Sequence, residues 1–569
     1  MHSRHRDQER SREYESSSNV SPPLQPSDNP QVTLRWGKLA GSRILVDGVW
    51  IDRYLGIPYA EPPLGKLRFK LPIPLKSPWN GSYIADKYGP SCWQPFQGND
   101  LKRSGRIQAR SEDCLSLNIW SPRNDYYYIN SDGNDEKYKE KGEHHHLKPV
   151  FVYIHGGALI SLSSADENFM EGRLLAAKES LIVVTFNYRL GALGFLFADR
   201  PDMPGNMGIY DQIAALQWIH DNVHHFGGDN SRITLAGVSS GSLCSAIIAL
   251  SGQANHLVSR VIMESGPLTP IWLDTKHEAL YRFEAIKKTV DCDFDDANEA
   301  IKCLQDAEAS ALIVAQYLPE VRVAKGYGRY EVFFPTLDSS LLPPTLDQLI
   351  ESQRWNSNLT ILSSIVEDEA HLIRRYGLDM PINSYDDCVQ SLRKGAIVMF
   401  PDEPERIEDV IKNYLVGHQN SSLRDIRRSC QLVAGDWYIT CPQLLTLDKL
   451  APKNTVYSMK FTYYGNQRYR KREDFLGSNY GPRHGVTMFF IFGVPFYRSQ
   501  YWTDNDRQMS REMMRIWANF VRNGRASWPS YQITLSGTVI AYQKEVNILR
   551  DTSAVKISPD RCRCEVWHD

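Results

Sequence analysis

The chain has 569 residues, 42% of them hydrophobic, and its 65 basic and 67 acidic residues give a net charge of -2 at pH 7. Such a balanced charge gives no support for binding to nucleic acid or to an anionic membrane surface. The sequence contains no apolar run of about 18 residues or more, so we expect no transmembrane helix.

The N-terminus and the cysteines indicate different compartments. Residues 1–10 are charged and lack the apolar stretch of a secretory signal. Cys92 with Cys114, and Cys292 with Cys303, have a spacing typical of local loop closure in an oxidising compartment. Three segments fit the N-glycosylation pattern: Asn80-Gly-Ser, Asn358-Leu-Thr and Asn420-Ser-Ser. We therefore expect a secreted or extracellular glycoprotein, with a cytoplasmic location as the alternative.

The composition divides the chain into a tail and one domain. Residues 1–30 are rich in Ser, Pro, Arg and Glu and are predicted to be disordered. Residues 31–569 are predicted to form a single domain, which begins with short strands at Leu34–Leu39 and Arg43–Val46. Residues 122–148 are polar and are predicted to form a surface insertion. Its three adjacent histidines, residues 144–146, do not converge on one ion without further ligands, so we expect no metal site there.

Apolar runs alternate with helical patterns through the next part of the chain. Four runs are predicted to be core strands: Leu115–Trp120, Val150–Ile154, Leu181–Phe186 and Ile233–Ala236. Two segments are predicted helices: Asp211–His225 and Ser245–Leu250. This order predicts an α/β fold with a large central, mostly parallel sheet that is flanked by helices on both faces.

Residues 237–241 fit the pattern G-x-S-x-G between a predicted strand and a predicted helix. A sharp strand-to-helix turn strains the main chain at the serine and leaves no room for a Cβ at Gly237 or Gly241. Such a turn exposes the Ser239 hydroxyl at a helix N-terminus, where main-chain N–H groups stabilise a developing anion. The pattern by itself also fits an ordinary glycine turn.

Over roughly residues 33–500, the chain resembles the type B carboxylesterase/cholinesterase family of α/β-hydrolases. Besides the serine motif, the resemblance rests on these segments in order: Gly56-Ile-Pro-Tyr-Ala, Glu112-Asp-Cys-Leu-Ser-Leu-Asn-Ile-Trp, His155-Gly-Gly-Ala, Asn187-Tyr-Arg-Leu-Gly, Gly205-Asn-Met-Gly-Ile-Tyr-Asp-Gln, Phe226-Gly-Gly-Asp and Glu264-Ser-Gly. It implies the α/β-hydrolase fold and the hydrolysis of carboxylic esters.

The resemblance also implies a catalytic triad. Ser239 corresponds to the nucleophile, and Glu369, in Val366-Glu-Asp-Glu-Ala, corresponds to the acid. His484 corresponds to the base that takes the serine proton and returns it to the leaving alcohol, while Glu369 orients the imidazole ring. Chemistry of this kind needs no cofactor, so none is expected.

The oxyanion hole is expected to follow the strand Val150–Ile154. The N–H groups of Gly156, Gly157 and Ser240 are its predicted donors, with Ala158 as a further candidate. An ordinary turn after the strand is the alternative interpretation of His155-Gly-Gly-Ala.

The resemblance implies a disulfide framework as well. It pairs Cys92 with Cys114 and Cys292 with Cys303. Cys441 is expected to pair with Cys562 or Cys564, and a Cys388–Cys430 pair is suggested. Cys244 is expected to be a buried free thiol.

Three positions depart from the pattern of the cholinesterases. Val238 replaces the glutamate before the nucleophile, Thr487 replaces an acid three residues after the histidine, and Ser104, in a basic loop, replaces the choline-binding tryptophan. These changes remove negative charge and an aromatic face that a quaternary ammonium group would need. They predict a serine carboxylesterase that acts through an acyl-enzyme on uncharged or anionic esters rather than choline esters.

Two other functions stay open at this stage. Some relatives keep the fold without the triad, so the alternative is a catalytically weak or inactive adhesion or binding protein of the cell surface. A third option is an esterase-like protein that reacts once and turns over poorly. Active-site labelling at Ser239 separates a protein with an assembled triad from an inactive binding protein. The sequence leaves homo-oligomerisation open.

Overall fold

The computed structural model describes most of the chain. The described residues are 29–95, 109–123, 128–129, 135–136, 147–165, 169–321, 333–356, 358–370, 382–400, 403–465, 481–497, 502–534, 538–548, 555–557 and 563–567. The predicted tail lies outside these residues except for its last two positions. Most of the polar insertion, including residues 144–146, also lies outside them; Tyr128–Ile129 and Asp135–Glu136 form a short antiparallel pair within it.

An eleven-stranded sheet forms the centre of the protein. Across the sheet its strands are Val555–Ile557, Tyr542–Val546, Thr455–Phe461, Thr360–Val366, Arg260–Glu264, Gly228–Val238, Lys148–Ile154, Ile182–Phe186, Ser116–Pro122, Val49–Pro58 and Ser42–Val46. The seven strands from Tyr542–Val546 to Ile182–Phe186 run parallel, and the outer pairs are antiparallel. The prediction of a large, mostly parallel sheet is therefore confirmed.

The central strand Lys148–Ile154 shows why its sequence is apolar throughout. Val150, Val152 and Ile154 belong to the core on one face of the sheet, whereas Phe151 and Tyr153 belong to the core on the other. Because side chains alternate along a strand, a strand that is covered on both faces needs an unbroken apolar run.

Helices pack on both of these faces, as predicted. Met207–Asn222 and Ser240–Leu250 contribute to the first core, and Arg173–Glu179 and Asp504–Asn523 contribute to the second. The other α-helices of the described chain are Gly191–Phe195, Lys276–Thr289, Ala297–Asp306, Ala309–Ala315, Leu346–Glu351, Tyr385–Met399, Ile407–Leu415, Leu423–Gly435, Cys441–Leu450, Thr487–Ile491 and Val494–Tyr497.

Three predicted elements differ from the structure. The helix predicted at Asp211–His225 is Met207–Asn222, followed by a 3-10 turn at Val223–Phe226. Leu34–Leu39 is not one strand, because the chain turns at Arg35 and Trp36 and forms an antiparallel hairpin of Gln31–Leu34 with Gly37–Ala40. Gly37 permits this turn with a φ of 127°. The helix predicted at Ser245–Leu250 begins five residues earlier, at Ser240. The structure thus places the start of that helix directly after Ser239.

Four disulfides are present in the described chain: Cys92–Cys114, Cys292–Cys303, Cys388–Cys430 and Cys441–Cys564. The two predicted local pairs are confirmed, and Cys564 is the partner of Cys441. Cys562 lies outside the described residues. Cys244 is buried and is not disulfide-bonded. No described helix is long and apolar enough to cross a membrane.

Candidate active site

Ser239 lies at the tight turn between the strand Gly228–Val238 and the helix Ser240–Leu250. Its φ of 57° and ψ of -127° place it in a region that non-glycine residues rarely adopt. A Cβ on Gly237 would lie 2.3 Å from the carbonyl oxygen of Gly241, and one on Gly241 would lie 2.3 Å from that of Ile154. Both glycines are therefore required for steric reasons, as the motif predicted.

The main chain around Ser239 is fixed by its neighbours. The Ser239 N–H donates to the Glu264 carbonyl oxygen at 2.8 Å. Gly266 packs so closely that a Cβ there would lie 1.9 Å from the Ser239 carbonyl oxygen. The buried Gln443 accepts the Gly266 N–H at 2.9 Å through Oε1 and donates to Ser363 Oγ at 2.7 Å. The segment Glu264–Gly266 thus contacts the turn directly, and Gln443 supports this segment from behind.

Glu369 and His484 form a buried pair. His484 Nδ1 lies 2.7 Å from Glu369 Oε2, and the two side chains are 5% and 1% exposed. The other carboxylate oxygen, Oε1, accepts the Val366 N–H at 2.9 Å. This second bond fixes the carboxylate against the end of the strand Thr360–Val366. The fixed carboxylate then orients the imidazole ring of His484.

Main-chain pairing brings the acid loop and the histidine loop together. Asp368 forms an isolated parallel bridge with Arg483, and the Asp368 N–H donates to the Pro482 carbonyl oxygen at 3.1 Å. Because each residue of the bridge is next to a member of the pair, the backbone places Glu369 and His484 in register.

His484 Nε2 is buried and has no hydrogen-bond partner among the described residues. An Nδ1–H that donates to Glu369 leaves Nε2 as a proton acceptor. The structure therefore joins Glu369 to His484 and leaves Nε2 without a hydrogen bond to Ser239. In unliganded sites this contact is often long and shortens when substrate binds.

The turn after Ile154 lies against the serine. A Cβ on Gly156 would lie 2.7 Å from the Val238 carbonyl oxygen and 3.1 Å from Ser239 Cβ. Gly157, Ala158 and Leu159 have φ values of 107°, 56° and 60°. The left-handed conformation turns the chain sharply at the place where oxyanion donors were predicted.

Three side chains hold this turn in place. Ser240 Oγ accepts the Leu159 N–H at 3.3 Å. The Tyr188 hydroxyl donates to the His155 carbonyl oxygen at 2.9 Å, and the two rings stack with centroids 4.5 Å apart. Gln94 forms two hydrogen bonds of 2.9 Å with the N–H and carbonyl of residue 162. The side chain of Ser240 therefore has a structural role beside the serine turn.

Burial sets the charge of two groups beside the site. It lowers the pKa of His155 to about 4, so this ring is neutral at pH 7. Burial also raises the pKa of Glu264 to about 8, against the hydrogen bonds that favour its charged form. Glu264 is therefore mostly protonated at pH 7.

The structure shows what surrounds two of the positions at which the sequence departs from the cholinesterases. Val238 and Thr487 are both buried, but Thr487 Oγ1 donates to Glu264 Oε2 at 2.8 Å. The sequence predicted a loss of negative charge beside the triad. A carboxyl group from another strand, that of Glu264, lies at this position, but it is mostly neutral at pH 7. Ser104 lies outside the described residues.

The profile of the Carboxylesterase family matches residues 28–567. The chain belongs to the carboxylesterase family. Acetylcholinesterase from Bungarus fasciatus is 30% identical over 523 residues, which cover 88% of this chain and 81% of that protein. Cholinesterase from Mus musculus is 30% identical over 562 residues, which cover 94% and 86% of the two chains. This family member is a serine hydrolase of carboxylic esters.

Sequence reasoning missed several supporting residues of this carboxylesterase. Gln94, Tyr188 and Gln443 contact main-chain groups that are 33 or more residues away in the sequence. Glu264 was noted only as part of a Glu-Ser-Gly segment. None of these residues has a local pattern that marks it as part of the site.

Proposed function

We propose that this carboxylesterase hydrolyses uncharged or anionic esters through Ser239, Glu369 and His484. The observation that carries the proposal is the buried 2.7 Å contact between Glu369 and His484, which leaves Nε2 as an acceptor. This histidine lies on the same edge of the sheet as the strained Ser239 turn.

The reaction follows from the roles of these groups. As Ser239 Oγ attacks the ester carbonyl carbon, His484 Nε2 takes the hydroxyl proton, and Glu369 stabilises the resulting imidazolium. The tetrahedral intermediate breaks its bond to the alkoxy oxygen, which receives the proton from His484 and leaves as the alcohol. Water then attacks the acyl-enzyme by the same route and releases the carboxylic acid and Ser239.

Main-chain N–H groups would stabilise the oxyanion. In the described chain, the N–H groups of Gly156, Gly157 and Ala158 donate no hydrogen bond. Ser240 is the first residue of its helix, so its N–H has no partner within that helix. These N–H groups therefore bind an oxyanion without breaking another hydrogen bond. Each donor of this kind typically stabilises the transition state by ~3 kcal/mol.

The proposed substrate preference rests on charge. The relatives are named as cholinesterases, but Val238 supplies no carboxylate beside Ser239. Glu264 supplies a carboxyl group that burial keeps mostly neutral at pH 7. A cationic substrate therefore gains little from these positions. We expect phenyl or naphthyl acetate to be hydrolysed with a kcat/KM at least ~10-fold above that of acetylthiocholine; equal values would contradict this preference.

Labelling with a fluorophosphonate, followed by peptide mass spectrometry, tests the mechanism. We expect stoichiometric modification at Ser239 and none in the Ser239→Ala variant. If well-folded protein does not react, the triad is not functional, and the alternative function, an adhesion or binding protein, is favoured instead.

We also propose an extracellular or luminal location. The four disulfides support it, since such bonds persist in oxidising compartments. Alkylation with and without a reductant should label the eight paired cysteines only after reduction. If protein isolated without reductant is labelled at all ten cysteines, this proposal is wrong.

A further inference from the structure

Glu264 touches both sides of the candidate site. It is the last residue of the strand Arg260–Glu264, and it is fully buried. Its carbonyl oxygen accepts the Ser239 N–H at 2.8 Å. The main chain of this one residue therefore holds the nucleophile turn.

The side chain of the same residue reaches the histidine loop. Glu264 Oε2 accepts a hydrogen bond from Thr487 Oγ1 at 2.8 Å, and Thr487 is also fully buried. Thr487 is the third residue after His484 and the first residue of the helix Thr487–Ile491. Main chain and side chain together form a bridge from Ser239 through Glu264 to the start of this helix.

The surroundings of the carboxyl group favour its neutral form. Burial is the cause, and it outweighs two nearby donors that favour the charged form. They are Tyr153, on the strand Lys148–Ile154, which is separated from Arg260–Glu264 by one strand, and Trp517, on the helix Asp504–Asn523. Tyr153 is the titratable group among them, and burial raises its pKa further above 10. A neutral acid keeps the hydrogen bond to Thr487 without the cost of a buried charge.

We propose that Glu264 is a positioning residue for ester hydrolysis, because it sets the distance between Ser239 Oγ and His484 Nε2 through its bonds to both loops. The inference rests on the proposed function, in which these two atoms exchange the proton. The proton transfer depends steeply on their separation, and a displacement of about 1 Å can lower a rate ~100-fold.

Four variants and one control test the bridge. Glu264→Leu and Thr487→Val remove the hydrogen bond, whereas Glu264→Gln and Thr487→Ser keep it. We expect the first two to lower kcat for phenyl acetate by about 10- to 100-fold with KM changed less than ~3-fold. We expect the second two to stay within ~3-fold of the wild type in kcat. Thr487→Val leaves Glu264 in place, so it reports on the bridge even if Glu264→Leu does not fold.

Thr462→Val is the matched control. Thr462 Oγ1 donates to Glu545 Oε1 at 2.9 Å, so this variant also removes a threonine–glutamate hydrogen bond, but one that involves neither Glu264 nor a residue of the triad. Its kcat should equal that of the wild type. The inference is wrong if Thr487→Val retains full kcat, or if Thr462→Val loses as much.

A proton NMR measurement separates this inference from the proposed function. The low-field resonance of the His484 Nδ1–H that is shared with Glu369 reports the position of the histidine loop without turnover. It should shift or broaden in Thr487→Val and stay unchanged in Thr487→Ser. If wild-type protein neither reacts with the fluorophosphonate nor hydrolyses esters but shows this pattern, the proposed function fails and the bridge stands. An unchanged resonance in Thr487→Val overturns the bridge.

Discussion

Main-chain sterics fix the nucleophile side of the site, whereas hydrogen bonds from distant segments hold the histidine side. Around Ser239, a Cβ at Gly237, Gly241 or Gly266 would lie within 2.3 Å of a main-chain oxygen. At Gly485, directly after His484, a Cβ would meet nothing within 4 Å in the described chain. His484 depends instead on Glu369 and on the bridge between Asp368 and Arg483.

This difference separates two kinds of constraint. Close packing of main chain leaves few conformations, so the serine turn is specified by a five-residue pattern. Hydrogen bonds between loops specify a position only after the sheet has brought their strands together. On the histidine side, the activity should therefore fall when a polar group is replaced and the fold is kept. On the serine side, the activity should fall when a substitution adds volume.

The largest effect is expected when the orienting bond of the histidine is broken. Glu369→Gln keeps the shape of the side chain but removes the charge that stabilises the imidazolium in the proposed mechanism. We expect kcat to fall about 10⁴-fold while the protein stays folded. Ester hydrolysis and circular dichroism measure the two properties.

Glu367→Gln is the matched control for this variant. Glu367 accepts a hydrogen bond from the half-exposed Arg428 at 3.1 Å, and exposed pairs contribute little to stability. Its kcat should stay within about 2-fold of the wild type, since Glu367 does not contact His484. Equal activity of the two variants would show that Glu369 has no role in catalysis.

The pH dependence of stability tests the group that links the two sides. The pKa of Glu264 rises from 4.5 to about 8 in the folded protein, so its contribution is fully present below pH 4.5 and is lost as pH rises towards 8. Relative to Glu264→Gln, the wild type should lose roughly 3–4 kcal/mol of unfolding free energy between about pH 5 and pH 8.

Urea denaturation at several pH values from 5 to 8 would measure that difference. The pKa of His155 is lowered to about 4, so this residue destabilises both proteins as pH falls below about 6.5. Because both proteins contain His155, its effect on stability cancels when the wild type is compared with Glu264→Gln. If the difference in unfolding free energy between the wild type and Glu264→Gln does not change with pH, Glu264 is already ionised in the folded protein at pH 5.

Added volume should damage the serine side. Gly266→Ala would place a Cβ 1.9 Å from the Ser239 carbonyl oxygen. We expect a loss of about 3 kcal/mol in unfolding free energy, together with lower activity, because the main chain must move. Thermal or chemical denaturation and ester hydrolysis measure both effects.

Gly395→Ala provides the control for this substitution. Among the described residues, its Cβ would meet only the terminal methyl group of Met399, at 3.1 Å, within a helix. Alanine should leave stability unchanged or raise it by up to about 1 kcal/mol. If Gly266→Ala behaves in the same way, the close packing behind Ser239 is not a constraint.

The smallest effect is expected at the turn that precedes the helix. Ser240→Ala removes the acceptor of the Leu159 N–H and should cost about 1 kcal/mol in stability and several-fold in kcat. Ser245→Ala, on the same helix, removes only a hydrogen bond to the Gly241 carbonyl oxygen and should leave kcat unchanged. Equal kcat values for Ser240→Ala and the wild type would show that the hydroxyl does not position the turn.

The local features of this site could be predicted from the sequence. The glycines around Ser239 permit a tight turn that a Cβ would block, and the unbroken apolar run Val150–Ile154 indicated a strand with two buried faces. The predicted pairs Cys92–Cys114 and Cys292–Cys303 close short loops. The helix start at Ser240 was missed, because its first residues are small and polar and have no apolar period.

The sequence by itself thus determined the α/β order, the serine turn and the family. The family resemblance implied that Glu369 orients His484, 115 residues away, but only the tertiary structure gave the geometry of this contact. Only the tertiary structure showed the contact between Glu264 and Thr487, 223 residues apart. The physical reason is the range of the forces. Steric exclusion acts between neighbours in the chain, whereas these polar contacts form only after the strand order has made the strand ends neighbours in space.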